Sequence, residues 1–493
     1  DELQQWVAFL GGEAPSEPIA KILNEWFAGA PDIEKRVRQF ALGGPTHAVT
    51  REQVSLFLDV AQTFAKSLPK LSRPLRTLER LGSFAERYGA RKQFFKAAVD
   101  SPDLFEALSL VFDRSTFIHA LMCKHPEIME ELLHTSRNRN KSREDLSEEI
   151  SLLPKTGDFP RLLWLYVKAE QVRLAMGQAL YNWPRPEVEK QLSRLADAAL
   201  EGALVYAQAQ DTLSIVALGK YGGEELGFGS DLDLLVLSNG GDLAQAQQAV
   251  TEFTRALSFT EPMGKTYELD LRLRPHGQDG PLAATLEAFK RYHQGGGAQD
   301  WERQVLTRAR AVFGKEALFV EFFKARDEIV FERGANESVL RELWAMRLRV
   351  QEQKTRGITP PSRSFKAAEG GLMDLEFFAQ MTQMRMGKEL PQLRSPSSAD
   401  VLAAAAGLWG ENRPAFARLP EHYDYLRRVE MCLRRDSFSG VSLIPEPGRD
   451  RYSLAWGMGF ADEQSFVGDY EKRLARIRAD VLDALREIGL STL

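Results

Sequence analysis

Apolar residues recur every three or four positions over most of this chain. Leu75–Ala97 and Pro102–Leu133 carry that spacing clearly, with Asp103, after Ser101-Pro102, near a helix start. The pattern predicts helix throughout residues 1 to about 155, except for the polar and charged run Asn138–Glu149, which reads as an exposed loop or linker. Two long amphipathic helices follow from Asp158 to Ala207, interrupted near Trp183-Pro-Arg-Pro. Strand character is confined to about 212–275, and within it Asp242–Leu257 reads as a helix capped by Asp242. After Pro281 the helical period returns. It covers Leu286–Tyr292, Asp300–Phe313 and Asn336–Gln353, whose Arg and Glu residues suit a solvated face. Beyond the connector Gly357–Ser364 a helical bundle is expected, ending in a long helix from Glu463 to Ile488.

The strand-like part carries the chemistry. An apolar strand, Leu213–Leu218, runs into Gly219-Lys-Tyr-Gly-Gly-Glu-Glu-Leu-Gly-Phe-Gly-Ser. A second apolar strand then begins with Asp231 and Asp233. Side chains two apart on a strand share a face, so both carboxylates project together. Like charges so placed are costly unless a cation sits between them. A divalent metal fits, with phosphate held nearby by the glycine-rich backbone. Residues Thr266–Arg274 alternate strictly, with Tyr267, Leu269, Leu271 and Leu273 on one face and Glu268, Asp270, Arg272 and Arg274 on the other. A plain surface strand shows the same alternation. The Arg272-Leu-Arg-Pro-His-Gly run changes the picture, because a carboxylate flanked by two guanidiniums suits a polyanion carrying metal.

Composition narrows the class. The 493 residues correspond to roughly three domains. With 44% apolar and 27% charged residues, the chain has the make-up of a globular protein with ample core. A net charge of −5 argues against a dedicated nucleic-acid binder, local basic stretches such as Arg303–Arg310 notwithstanding. Cys123 and Cys432 lie in apolar, helix-like surroundings and read as inert thiols rather than as a disulfide or metal site. No apolar window of membrane-spanning length exists, and the acidic N-terminus lacks signal-peptide form, so a cytoplasmic setting is expected. The chain begins with Asp1 rather than Met, as a piece of a longer product would.

Gly219-Lys-Tyr-Gly-Gly-Glu-Glu-Leu-Gly-Phe-Gly-Ser-Asp-Leu-Asp-Leu resembles the signature of the glutamine-synthetase adenylyltransferases, within the nucleotidyltransferase superfamily shared with DNA polymerase β. Four further blocks are similar: Tyr267-Glu-Leu-Asp-Leu-Arg-Leu-Arg-Pro, Trp301-Glu-Arg-Gln-Val-Leu-Thr-Arg-Ala-Arg, Lys366 with Gly370-Gly-Leu-Met-Asp-Leu-Glu-Phe, and Lys124-His-Pro-Glu-Ile-Met-Glu-Glu-Leu-Leu. Family members are bifunctional and about twice this length, one half attaching AMP to a tyrosine of glutamine synthetase and the other removing it. This chain has a single Ser-Asp-x-Asp site, and its Gly-Ser-Asp-Leu-Asp wording is closer to the attaching, C-terminal half. Met431-Cys432 stand where the family commonly shows a His near Leu-Arg-Arg.

The resemblance implies a mainly α protein with a small mixed α/β nucleotidyltransferase core: a helical N-terminal region (1–155), a catalytic domain (156–335) and a C-terminal helical bundle (336–493). It implies transfer of AMP from ATP, with Asp231, Asp233 and Asp270 as catalytic groups holding two Mg²⁺ ions. Gly222, Gly223, Ser230 and Lys220 would meet the triphosphate, and Arg272 and Arg274 would stabilise developing phosphate charge. Lys220 and Lys265 equally suit solvated turns, Glu302 a buried partner of Trp301, and His276 a solvent-facing loop. Asp374 and Glu376, two apart, do not share a helix face. Glutamine synthetase is the implied protein substrate, and a PII-type regulatory protein a second partner to look for; neither nucleic acid nor membrane is expected. Phosphorolytic deadenylylation on the same site, and a catalytically silent scaffold, stand as the alternatives.

Overall fold

The computed structural model describes residues 2–27, 30–44, 49–135 and 140–490. It is 68% helical with a small mixed sheet of four strands, as expected of a mainly α chain with a small α/β core. The chain forms two compact units. One comprises residues 1–140, 168–188 and 435–438; the other comprises 141–167, 189–434 and 439–493.

Aromatic contacts within and between helices run through the first unit. Trp6 meets Phe9 and Phe57, Phe40 meets Phe57 and Phe95, and Phe84 meets Phe94 and Phe112. The buried Asp113 is satisfied rather than strained. Its oxygens accept from Ser72 N (2.9 Å), Ser72 Oγ (2.8 Å), Arg73 N (2.8 Å) and Thr77 Oγ1 (3.1 Å), at the start of the helix Pro74–Arg87. The Lys124-His-Pro block forms a helix break. Thr116–Lys124 ends with His125 N donating to Leu121 O, and Ile128–Thr135 follows.

The second unit contains the sheet, in the order Leu269–Asp270, Leu232–Ser238, Leu213–Ala217, Arg310–Phe313. The two central strands pair antiparallel, Leu213 opposite Ser238 and Ala217 opposite Leu234. Leu213–Ala217 is buried along its whole length, which explains its unbroken apolar run. One apolar core joins Val216, Leu218, Leu235 and Leu237 to the helices Glu337–Thr355, Leu372–Met386 and Glu463–Glu487, through Leu340, Phe378 and Ile477. The long helices Phe159–Tyr181 and Arg185–Tyr206 and the capped Leu243–Leu257, whose Ala244 N donates to Asp242 Oδ1 (2.9 Å), follow the predicted pattern.

Four expectations are corrected. Of the expected loop Asn138–Glu149, Asn138 and Arg139 lie outside the described residues, but Arg143–Ser151 is a helix. Ser142 and Asp145 form its capping box, so the polar run marks a helix start. The expected helix Asp300–Phe313 stops at Arg308, and Arg310–Phe313 is instead the fourth strand, too short for periodicity to reveal. The alternating strand Thr266–Arg274 shrinks to Leu269–Asp270. Arg272 N donates to Asp270 Oδ1 (2.8 Å), an aspartate-led turn that takes the chain out of the sheet. Finally, the charge of Glu337–Thr355 is not all solvated. Arg347 is fully buried, 2.6 Å from the equally buried Asp374.

Candidate functional site

The sheet puts the three predicted carboxylates together. Leu232–Ser238 and Leu269–Asp270 run parallel, with Asp233 in register with Asp270, and adjacent strands lie about 4.8 Å apart. Asp231 precedes the strand and is exposed. The Asp233 carboxyl is pushed up to about 7, first by burial and then by the charges of Asp231 and Asp270, against the pull of Arg308 and Lys366. Opposite it, Gly219 has φ of 55°, and a Cβ there would collide with the Asp233 carboxylate. The first glycine of the turn is therefore demanded both by its backbone and by the close approach of the acid.

Asp231 and Asp233 line a cleft of about 600 Å³. Its other residues include Gly219, Lys220, Ser230, Arg308, Lys366 and Arg434. Ser230 Oγ accepts from Arg434 Nη1 (2.9 Å) and from Gly227 N (3.1 Å). With both lone pairs engaged, its O–H is left to donate. Carboxylates at adjacent strand ends are the donor chemistry a hard divalent cation takes, and the raised Asp233 registers like charge that such a cation would relieve. The side chains are not assembled as a ligand set, however. Among the described residues no three His, Cys, Asp or Glu groups are disposed to hold a metal ion. Asp270 is turned to Arg272, whose Nε and Nη2 lie 3.0 and 2.5 Å from its oxygens, and this contact holds the Asp270 carboxyl below its usual range.

The other predicted residues divide. Lys220 is not a solvated turn residue. Its Nζ sits 2.7 Å and 2.8 Å from the two oxygens of Glu430, and burial pushes the amine down to about 7 while Glu430 opposes the shift. Gly222 and Gly223 do not line the cleft. Added Cβ atoms there would strike the Arg308 carbonyl and guanidinium, so they serve close packing behind it. Arg272 is exposed and is not among the residues that line the cleft. Arg274 is buried, its guanidinium donating to the carbonyls of Leu271 (2.6 Å), Gln278 (3.3 Å) and Gly280 (3.0 Å), which shapes the loop. Lys265 pairs with Glu268 (2.8 Å), and His276 is exposed. Glu302 accepts from Tyr292 Oη (2.8 Å) and caps its helix through Gln299 N (2.8 Å), while Trp301 Nε1 donates to Gln299. Asp374 takes up Gly370 N (2.8 Å) at the start of its helix, and Glu376, on another face, lines the cleft.

No site role was expected for the second wall, although Lys366, Met373 and Glu376 lie in or beside a block that resembles the family. Lys354, Ser364, Lys366, Met373, Glu376, Gln380, Arg434 and Ser442 all come from the helical C-terminal part. Behind them lies a buried ion-pair network. Arg308 pairs with Glu225, and Arg427 lies 2.5 Å from Glu189 and 2.6 Å from Glu430. Burial alone would raise Glu225, but Arg308 and Arg427 outweigh it and hold the group low. For the network the local signal is the spacing Arg427, Glu430, Arg434, which reads equally as a solvated helix face.

Residues 105–325 match the family model described as glutamate-ammonia ligase adenylyltransferase, and residues 342–488 match GlnD PII-uridylyltransferase. Three relatives are each named bifunctional glutamine synthetase adenylyltransferase/adenylyl-removing enzyme. The protein of Leifsonia xyli subsp. xyli is 30% identical over 72% of this chain and 37% of its own length. That of Neisseria meningitidis serogroup A is 30% identical over 75% and 43%, and that of serogroup B is 30% identical over 81% and 47%. The chain thus spans less than half the length of these relatives. No helix among the described residues is long and apolar enough to cross a membrane.

Proposed function

The chain belongs to the glutamate-ammonia ligase adenylyltransferase family, and from that premise we propose that it transfers AMP from ATP to a tyrosine hydroxyl of glutamine synthetase. The observation that carries the reading is the register of Asp233 with Asp270, with Asp231 two residues earlier, where Asp231 and Asp233 line a cleft otherwise rich in cations. The tyrosine oxygen attacks the α-phosphorus, the α–β phosphoanhydride breaks, and pyrophosphate leaves. Asp231, Asp233 and Asp270 would hold two Mg²⁺ ions, which when bound neutralise phosphate charge and acidify the attacking hydroxyl. Ser230 offers its free O–H to a phosphate oxygen, and the Arg434 contact fixes its direction. Gly219 leaves room for the chain to pass close to Asp233. Lys220, held on Glu430, would add charge to the cleft when protonated, and the exposed Arg272 would reach phosphate by leaving Asp270. Gly222, Gly223 and Arg274 act indirectly, by holding the turn and the loop that carry these groups. The Gly-Ser-Asp-Leu-Asp wording supports the attaching direction. The match of residues 342–488 to the GlnD PII-uridylyltransferase model supports a PII-type protein as regulator.

The test is to run both directions. With ATP, Mg²⁺ and unmodified glutamine synthetase, the purified chain should add one AMP per subunit, read by intact mass. No gain, together with release of ADP from the modified form in the presence of phosphate, would assign the removing reaction instead. Failure in both directions, with no Mg²⁺-dependent heat of ATP binding, would leave a scaffold.

A further inference from the structure

We propose that Lys366, from the helical C-terminal part, is the residue that grips the phosphate chain of the nucleotide, an assignment that rests on the nucleotide reading of the cleft. Five cations line that cleft: Lys220, Arg308, Lys354, Lys366 and Arg434. Three are already committed. Arg308 is bound to Glu225 and to Pro396 O (3.2 Å). Lys220 straddles both oxygens of Glu430, and Arg434 is spread over Ser230 Oγ (2.9 Å) and Glu430 (3.1 Å). Lys354 is exposed at the edge. Lys366 differs from all of these. Its side chain is 30% exposed, and its nearest acid, Glu430, is 3.8 Å away, beyond hydrogen-bond distance. Its three N–H donors are therefore left for a ligand.

The charge count around it favours an anion. Arg427 pairs with both Glu189 and Glu430, and Glu430 is met as well by Lys220, Arg434 and, at 3.8 Å, Lys366. Glu376, 3.9 Å from Lys220, returns one negative charge and still leaves the wall positive. Asp231 and Asp233 hold the opposite charge in the same cleft. A phosphate chain carrying metal complements such a pair of walls. The backbone that presents Lys366 is preorganised. Lys366 O accepts from Met373 N (3.0 Å), Phe365 O accepts from Leu372 N (2.9 Å), and the buried Arg347 donates to Ala367 O and Ala368 O (3.0 Å each).

Calorimetry on the full chain with MgATP, inorganic tripolyphosphate and adenosine tests this. Lys366→Met should weaken MgATP and tripolyphosphate by about 10- to 100-fold, as loss of a charged hydrogen bond does, and leave adenosine unchanged. Lys366→Arg should recover most of the loss. An equal loss for adenosine would mark a merely structural lysine, and an undiminished MgATP affinity would overturn the assignment. A wild-type chain that binds tripolyphosphate through Lys366 but not MgATP would sink the nucleotide reading and keep the anion site. Binding of neither would sink both.

Discussion

Two groups of acids in the larger unit are treated in opposite ways. Asp374 is fully buried, yet it has two guanidiniums, Arg347 at 2.6 Å and Arg478 at 3.1 Å, and a backbone N–H. Asp233 is beside two other carboxylates, and its charge is raised in energy by all three circumstances: burial, Asp231 and Asp270. The first arrangement is what folding stability asks of a buried charge. The second is what folding stability alone would remove, and such perturbed acids in a cleft mark chemistry. The contrast is one of neighbours, not of burial.

The largest expected effect breaks the crowded group. Asp231→Asn with Asp233→Asn should lower adenylylation by on the order of 10³-fold or more, as loss of metal ligands does. The same variant should unfold at an equal or higher temperature, because like charge is relieved. Turnover within tenfold of wild type would refute the metal assignment. The paired group predicts the reverse. Asp374→Ala leaves Arg347 buried without its acid and should cost about 3–5 kcal/mol in urea unfolding. Arg347→Met combined with Asp374→Leu should cost clearly less than Asp374→Ala alone. Equal losses would show that packing rather than charge dominates there.

This difference also explains what could be read from the chain. The crowded acids were legible because Asp231, Asp233 and the Gly219–Gly229 turn lie within 15 residues, and apolar strands frame them. The short pairing at Asp270 was legible only in part. Alternation continued to Arg274, whereas the chain leaves the sheet at the turn closed by Asp270 and Arg272. The paired acids were hidden. Arg347 and Asp374 sit on two different helices, and nothing local distinguishes a buried arginine from a solvated one. The same holds for Arg434, which lines the cleft from about 200 residues beyond the signature, and for Glu430 behind it; Lys366 lies beside a block that resembles the family, but it reaches the cleft only through tertiary packing.

A buried base gives a smaller and pH-dependent version of the comparison. His293 is held down to about 4, first by burial and then by the charge of Arg303, against 6.5 for a free imidazole. The neutral form is the folded form. Its contribution is complete above about pH 6.5 and is lost as pH falls from there towards 4. Replacing it by an uncharged residue, His293→Gln, should flatten this acid limb of stability by about 2 kcal/mol, the order of the linkage for such a shift. Urea midpoints measured at neutral pH and near pH 4.5 give the comparison, and an unchanged slope would show that His293 is not the group responsible.

The smallest effect concerns an acid that is neither crowded nor matched by a cation. Asp242 is exposed and caps Leu243–Leu257 through Ala244 N. Its charge is satisfied by a backbone donor and by the helix N-terminus, so it has no excess energy to lend to chemistry. Asp242→Ala should cost about 1 kcal/mol in urea unfolding, and Asp242→Ser should restore most of that. Both variants should turn over as wild type, although their helix packs against the strand that bears Asp233. A loss of turnover in Asp242→Ala that tracked no loss of stability would mean that the helix tunes the acid pair. In that case, the line drawn here between acids that hold the fold and acids that act on substrate would have to be redrawn around the whole sheet.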